Sequence, residues 1–188
     1  SSGRSNVAIG INAAAQNGAA NNNVAVGDST LLANTASGNV AVGSKALRFN
    51  TSGTGNQAFG FEAMLNTSTG SRNAAVGYQS LRTNTTGTGN TALGYRALYA
   101  NNTNANNVAI GDSAMVANVA ASNTAIGAKA LRNNTSGTGL FAGGFQALVA
   151  NTTGLNNTAI GYQSMNKNTV GFENTAVGHQ ALFSLVTG

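Results

Sequence analysis

Polar and apolar positions along this chain fall into one phrase, Asn-x-Ala-large-Gly, that occurs ten times intact and once altered. The phrase starts at residues 6, 23, 39, 56, 73, 90, 107, 123, 140, 157 and 174. Successive starts lie 17 residues apart, or 16 after the second and seventh copies. A fixed period of this size marks a stacked array, in which each repeat buries its apolar residues against its neighbours. Residues 1–188 therefore read as a single solenoid.

Numbering each repeat from its Asn gives columns. Position 3 is Ala in every copy: Ala8, Ala25, Ala41, Ala58, Ala75, Ala92, Ala109, Ala125, Ala142, Ala159 and Ala176. Position 5 is always Gly, from Gly10 to Gly178, and position 4 is Ile, Val, Leu or Phe except at Gly143. Position 7 is polar, position 8 is small, and position 9 is Leu or Met in ten copies. Position 12 is Asn in nine copies and opens a loop such as Asn84-Thr85-Thr86-Gly87.

No stretch sustains helical periodicity over ten or more residues, so the array is all-β. Positions 1–4 and 7–10 read as two short strands, with the position-5 Gly as a tight turn and the Thr/Gly loop as the second. Eleven such rungs at strand spacing predict a parallel β-roll on the order of 50 Å long.

Strand side chains alternate between faces, so Ala at position 3 points opposite to the large residue at position 4. Large residues at 4 and 9 inside the coil would leave the small residues at 3 and 8 pointing outward, where an alanine column implies a restricted space such as another chain. The reverse assignment leaves an apolar stripe outside, which also demands a partner. Either way the pattern predicts a homo-oligomer, and a three-fold fibre is a natural closed solution. The alternative is a monomeric solenoid whose alanine column is merely compact.

Asn at positions 1 and 12 is expected to stack from rung to rung in hydrogen-bonded amide ladders. On that reading the sequons at Asn50, Asn66, Asn84, Asn101, Asn134 and Asn151 are by-products of Asn-Thr turns rather than glycan sites. A longer period overlies the short one. Asp28 recurs as Asp112, Lys45 as Lys129, Arg48 as Arg132, Phe61 as Phe145 and Tyr78 as Tyr162, each 84 residues on. Five rungs have been duplicated as a block. The ninth rung, Leu140-Phe141-Ala142-Gly143-Gly144, loses its Asn and its large position 4. Phe141 lies on the same strand face as Gly143 and is expected to fill the vacated core space.

Composition narrows the picture further. Only 7% of residues are charged and 6% aromatic, which excludes a conventional core of large side chains and leaves Asn, Thr, Ser and Gly to meet solvent. Such a composition also suits disorder, but the strict columns argue against it. Cys is absent, so there is no disulfide framework or thiolate metal site. Pro is absent too, as a fully used hydrogen-bond ladder requires. No apolar run is long enough to span a membrane as a helix. Ser1-Ser2-Gly3-Arg4-Ser5 matches the close of a repeat, and Gly188 falls at a loop glycine, so both ends look cut from a longer array.

Candidate chemistry is sparse. His179, the only histidine, sits at the variable position 6 and reads as a turn residue. Asp28, Glu62, Asp112 and Glu173 lie in different rungs. Asp28 and Asp112 share a column about 24 Å apart at strand spacing, whereas a glycosidase pair needs about 5–10 Å. No calcium cage or Gly-Lys-Ser/Thr phosphate loop is spelled out. The sequence therefore predicts neither an enzyme nor a cofactor. The net charge of +5, without a basic block, does not point to nucleic acid. Lys45, Arg96 and Lys129 at position 7, with Arg48, Arg82 and Arg132 at position 10, form a candidate basic face for acidic glycan, or simply a solubilising one. Thr at positions 2, 13 and 14 could form hydroxyl rows of the sugar- or ice-binding kind, though strand propensity and turn chemistry explain Thr equally well.

The Asn-x-Ala-Ile/Val-Gly phrase resembles the repeats of YadA-like heads in trimeric autotransporter adhesins. Asn157-Thr158-Ala159-Ile160-Gly161-Tyr162-Gln163-Ser164-Met165 is also similar to repeats of phage and viral tail-fibre proteins. The resemblance covers residues 6–188. It implies a left-handed parallel β-roll, three chains side by side, and use as an extracellular attachment head or shaft on a virion or bacterial surface. The rungs are longer than the usual adhesin repeat, and neither a coiled-coil stalk nor an anchor is present in this stretch. The expectation is thus a homotrimeric fibre segment for host attachment. The alternative is an adhesin head that binds matrix protein or a cell-surface glycan.

Overall fold

The computed structural model describes residues 3–186. The expectations for Ser1, Ser2 and Gly188 lie outside the described residues. Each repeat contributes one three-residue strand, β1 to β11 in chain order, at positions 2–4. The series begins with β1 at Val7–Ile9, includes β9 at Phe141–Gly143, and ends with β11 at Thr175–Val177. All eleven join one parallel sheet in chain order, and no described residue is helical. The register keeps every column in line, alanine against alanine, as in Ala75 beside Ala92 and Ala8 beside Ala25. The architecture is a β-solenoid with one strand per rung.

The predicted second strand does not form. Positions 7–10 are a run of turns because positions 7 and 9 adopt the left-handed conformation: Lys45 and Leu47 have φ of 62° and 48°, and Gln79 and Leu81 have 53° and 50°. A left-handed L-residue costs roughly 1–2 kcal/mol. Burying a Leu or Met at position 9 returns roughly 1.5–3 kcal/mol, and the turns still feed the rung-to-rung ladder. Lys45 N–H donates to the Asp28 carbonyl at 2.8 Å, and Leu47 N–H donates to the Ala63 carbonyl at 3.0 Å. Burial and hydrogen bonding together offset the backbone strain.

The same turns combine the two assignments of inside and outside that the sequence pattern left open. Within the three-residue strand alternation holds: position 3 points in, and positions 2 and 4 lean out. Ala25, Ala58, Ala92, Ala125 and Ala159 are essentially inaccessible, while Leu93, Ile126 and Ile160 remain 42–45% exposed. Ala8, in the first rung, is exposed. Alternation does not carry through the Gly turn, because left-handed residues at 7 and 9 let consecutive positions 8 and 9 both face inward. Ala46 and Leu47, and Ala130 and Leu131, are each fully buried. The interior therefore holds positions 3, 8 and 9, and the alanine column packs between rungs.

The rest of the interior is amide. Asn at positions 1 and 12 is fully buried through most of the array. At position 1 each side-chain oxygen accepts the backbone N–H of the next rung's first residue, as Asn56 Oδ1 does from Asn73 at 3.0 Å. At position 12 the amide N–H groups reach the preceding Asn and the rung's own loop carbonyl: Asn134 Nδ2 lies 2.7 Å from Asn118 Oδ1 and 2.9 Å from the Gly137 carbonyl. These bonds satisfy loop groups that would otherwise be buried without partners. Leu140 keeps the backbone half of the ladder, donating to Asn123 Oδ1 at 3.0 Å, but offers no oxygen to Asn157.

Two glycine columns permit this close stacking. The position-5 Gly has φ near +130°, and a Cβ on Gly77 would lie 2.5 Å from the Gly94 carbonyl oxygen. At position 15 a Cβ on Gly70 would run into the Gly87 carbonyl oxygen. Residues with a Cβ enter the position-15 column at Ala20 and Ala36, and again at Asn104 and Ala120. Each pair consists of a shortened 16-residue rung and the rung before it. Dropping one loop residue changes how neighbouring loops meet and admits a side chain.

Candidate recognition surface

The described residues form no pocket and no cluster of metal-ligating side chains. Any recognition must therefore use the outer faces of the rungs. The predicted basic residues do not make a continuous free strip. Arg82 Nε is 2.8 Å from Glu62, and the Arg82 guanidinium also reaches the Tyr99 hydroxyl at 3.3 Å. Arg96 lies 4.2 Å over the Tyr99 ring, Arg48 lies 5.2 Å from the Phe49 ring centre, and Lys45 Nζ sits 5.8 Å over Phe61. Lys129 is half-buried and Arg132 is exposed. Positions 7 and 10 do share a face, as the Glu62–Arg82 pair demonstrates, but much of its charge is engaged internally.

Glu62 lies at the centre of this group. Burial pushes its carboxyl up, but hydrogen bonds from Arg82 and Gln79, with the charges of Arg82 and Lys45, outweigh it. The carboxyl titrates below its ordinary range. In the duplicated block the counterparts of Glu62, Gln79 and Arg96 are all glutamines: Gln163 donates to Gln146 at 2.8 Å, and Gln180 donates to Gln163 at 3.1 Å.

The threonine row at position 13 is occupied structurally. Thr51 Oγ1 donates to the Ser68 carbonyl at 3.0 Å, and Thr135 donates to the Thr152 carbonyl at 3.0 Å. Such hydroxyls tie rungs together. Of the sequon asparagines named above, Asn50, Asn84, Asn101, Asn134 and Asn151 stand in the buried position-12 column. Asn66 lies one position earlier, partly exposed.

Two outward features stand out; the sequence pattern offered the first only as one of two alternatives and did not assemble the second. The first is the apolar stripe of position 4, which runs beside position 2 along the sheet. The second is a stack of rings at position 6. Phe61, Tyr78 and Tyr95 succeed one another at centroid steps of 5.4 Å, with ring planes within 15°. Phe145, Tyr162 and His179 repeat the arrangement at 5.4 and 5.2 Å. His179 lies in a turn, as expected, and its ring also stacks on Tyr162. The signal was available in the 84-residue duplication, but pairing Phe61 with Phe145 does not itself reveal three rings in line.

Phe141 also belongs outside. Its ring covers the site of the missing Gly143 side chain, lying 3.4 Å from where a Cβ would stand, yet Phe141 is 37% exposed. It fills a gap in the outer stripe, not in the core, because positions 2 and 4 share the outward face. No protein-family model, curated protein or solved structure matches this chain.

Proposed function

We propose that this chain is a rod segment of an extracellular homotrimeric attachment fibre, with the position-4 stripe at the contact between chains. The observation that carries this reading is an apolar row, including Val76, Leu93, Ile126 and Ile160, left 42–45% exposed along one side of the sheet. Soluble monomers rarely leave a contiguous apolar surface of that extent open. A repeat array presents the same patch at every rung, so a second and third copy can match it in register along the full length, and three-fold closure leaves no stripe uncovered. The likeness of the Asn-x-Ala-Ile/Val-Gly phrase to adhesin-head and tail-fibre repeats supports the same assembly and an attachment role. No acid pair, metal cluster or cleft among the described residues supports an enzymatic alternative.

Sedimentation equilibrium at micromolar concentration tests the proposal. The unaltered chain is expected at three times its monomer mass. Leu93→Glu combined with Ile126→Glu, both on the outer face, is expected to yield a folded monomer with unchanged circular dichroism. A monomeric parent chain would overturn the reading.

A further inference from the structure

We propose that the two position-6 ring stacks, each with its flanking position-7 side chains, are a duplicated site for a linear oligosaccharide lying along the solenoid axis. This inference rests on the attachment role proposed above, and it names the ligand class.

The rungs themselves do not require rings at position 6. The same column holds Asp28, Ser44, Asp112 and Ala128 in rungs of the same fold. Rings occur only in three consecutive rungs of each five-rung block. Between the two copies the neighbouring chemistry has drifted: Glu62 corresponds to Gln146, Arg82 to Asn166 and Arg96 to Gln180. Tyr95 itself has become His179, yet the replacement is another flat ring, stacked on Tyr162 at 5.2 Å and 5°. Both blocks retain a row of three flat rings, with Gln79 recurring as Gln163 and Lys45 as Lys129 beside it.

The exposed part of that row is amphipathic. Ring faces are spent on one another, so a ligand meets ring edges and phenol hydroxyls. The Tyr78, Tyr95 and Tyr162 rings are 45–49% exposed. Beside them Gln79, Gln163 and Gln180 each donate one amide N–H to the neighbouring rung, at 2.9, 2.8 and 3.1 Å, and Gln163 also accepts the bond from Gln180. An amide fixed in this way keeps a second N–H and a carbonyl lone pair for a ligand. Alternating apolar edges, hydroxyls and fixed amides match a sugar chain, which alternates C–H surfaces with hydroxyl groups. Tyr suits such contacts because it offers a rigid apolar body and a polar tip. Each stack is only three rungs long, far short of the roughly 20–30 residues per side of a stable protein interface. With no pocket nearby, a small compact ligand would not be enclosed either. An extended chain with its own repeat is the occupant that fits a ladder.

The test uses the whole chain and three probes: cellohexaose, chitin hexasaccharide and hyaluronan hexasaccharide. Calorimetry is expected to find two sites per chain for at least one of them, with saturation-transfer signals from tyrosine ring protons. Tyr78→Ser with Tyr162→Ser, a residue this column already accepts at Ser44, is expected to weaken that binding about tenfold or more. Sedimentation of the double variant is measured alongside. No binding by any hexasaccharide, or binding unchanged in the double variant, overturns the proposal while leaving the fibre reading intact. A double variant that loses the parent's oligomeric state also overturns it, because the stack would then be a contact between chains.

Discussion

Asn50 donates its side-chain amide to Asn34 Oδ1 at 2.7 Å, yet its own side-chain oxygen is buried without a donor. The next residue in the column is Thr67, whose buried hydroxyl is also unpartnered. This substitution within the amide column thus interrupts the ladder and leaves adjacent polar atoms unsatisfied. Thr67→Asn is expected to restore the pattern seen between Asn118 and Asn134. One recovered hydrogen bond contributes about 1 kcal/mol, which raises Tm by about 2–4 °C in a chain of this size. Thermal unfolding checks it, and a lowered Tm would show that the column does not accept an amide there.

The two classes of positive-φ glycine should separate cleanly. Gly77→Ala puts a Cβ 2.5 Å from the Gly94 oxygen at a φ of +131°. Clash and strain together predict a loss of about 3 kcal/mol or more. Gly38 has φ of +74° and open space around it, in a column that elsewhere holds Arg72, Asn106 and Asn156 in the left-handed region. Gly38→Asn should change stability by no more than about 0.5 kcal/mol. Denaturant titration of both variants decides whether rung contact or glycine itself is required.

Leu148 and Phe141 lie in the same rung on opposite sides of the wall. Leu148 is fully buried, and Leu148→Ala is expected to cost about 2–5 kcal/mol. Phe141→Ala removes a ring from the outer stripe and should cost an isolated chain about 1 kcal/mol, since only part of its surface is buried. If trimers form, the Phe141 variant should also shift the concentration at which they dissociate. Equal costs for the two variants in the monomer would contradict the inside and outside described above.

The Glu62–Arg82 pair gives a pH signature. Because the folded-state carboxyl titrates below its ordinary value, its contribution is complete above the unfolded carboxyl pKa of about 4.3. It is lost as pH falls through the lower folded value. Glu62→Gln, which copies Gln146 of the second block, should therefore lower stability at pH 7 by about 1 kcal/mol or less. The difference from the parent should close as pH falls below the folded-state value. A constant difference across that range would exclude the carboxylate as its source.

Much of this organisation was legible in the chain itself. Eleven aligned repeats announce stacked rungs, and two shortened periods mark where loops contract. Invariant Gly at position 5 marks a backbone turn, and columns of Asn mark amide stacking. What was misread is the segment from Gln79 to Arg82 and its equivalents. As a short segment between a glycine turn and a Gly/Asn/Thr loop it looks like a strand, but Gln79 and Leu81 are left-handed. Single-residue propensity gives no warning of a Leu in that conformation. The basic face was read from residue type alone, and Glu62 and Tyr99 could not be placed beside Arg82 without knowing that positions 7 and 10 share a surface.

The sequence alone determined that the chain repeats, that its repeats are β rungs in register, and that no familiar catalytic or metal motif interrupts them. Periodicity suffices for this, because in a stacked array each residue's neighbours are the same position one rung away. Only the tertiary structure decided which columns face inward. That choice depends on backbone conformation at positions 7 and 9, where burying Leu47 or Met64 outweighs a left-handed turn. The same choice sends Leu93 and Ile160 to the outer wall and brings Phe61, Tyr78 and Tyr95 into one stack. A one-dimensional period says what recurs; the sign of two φ angles per rung says which way it points.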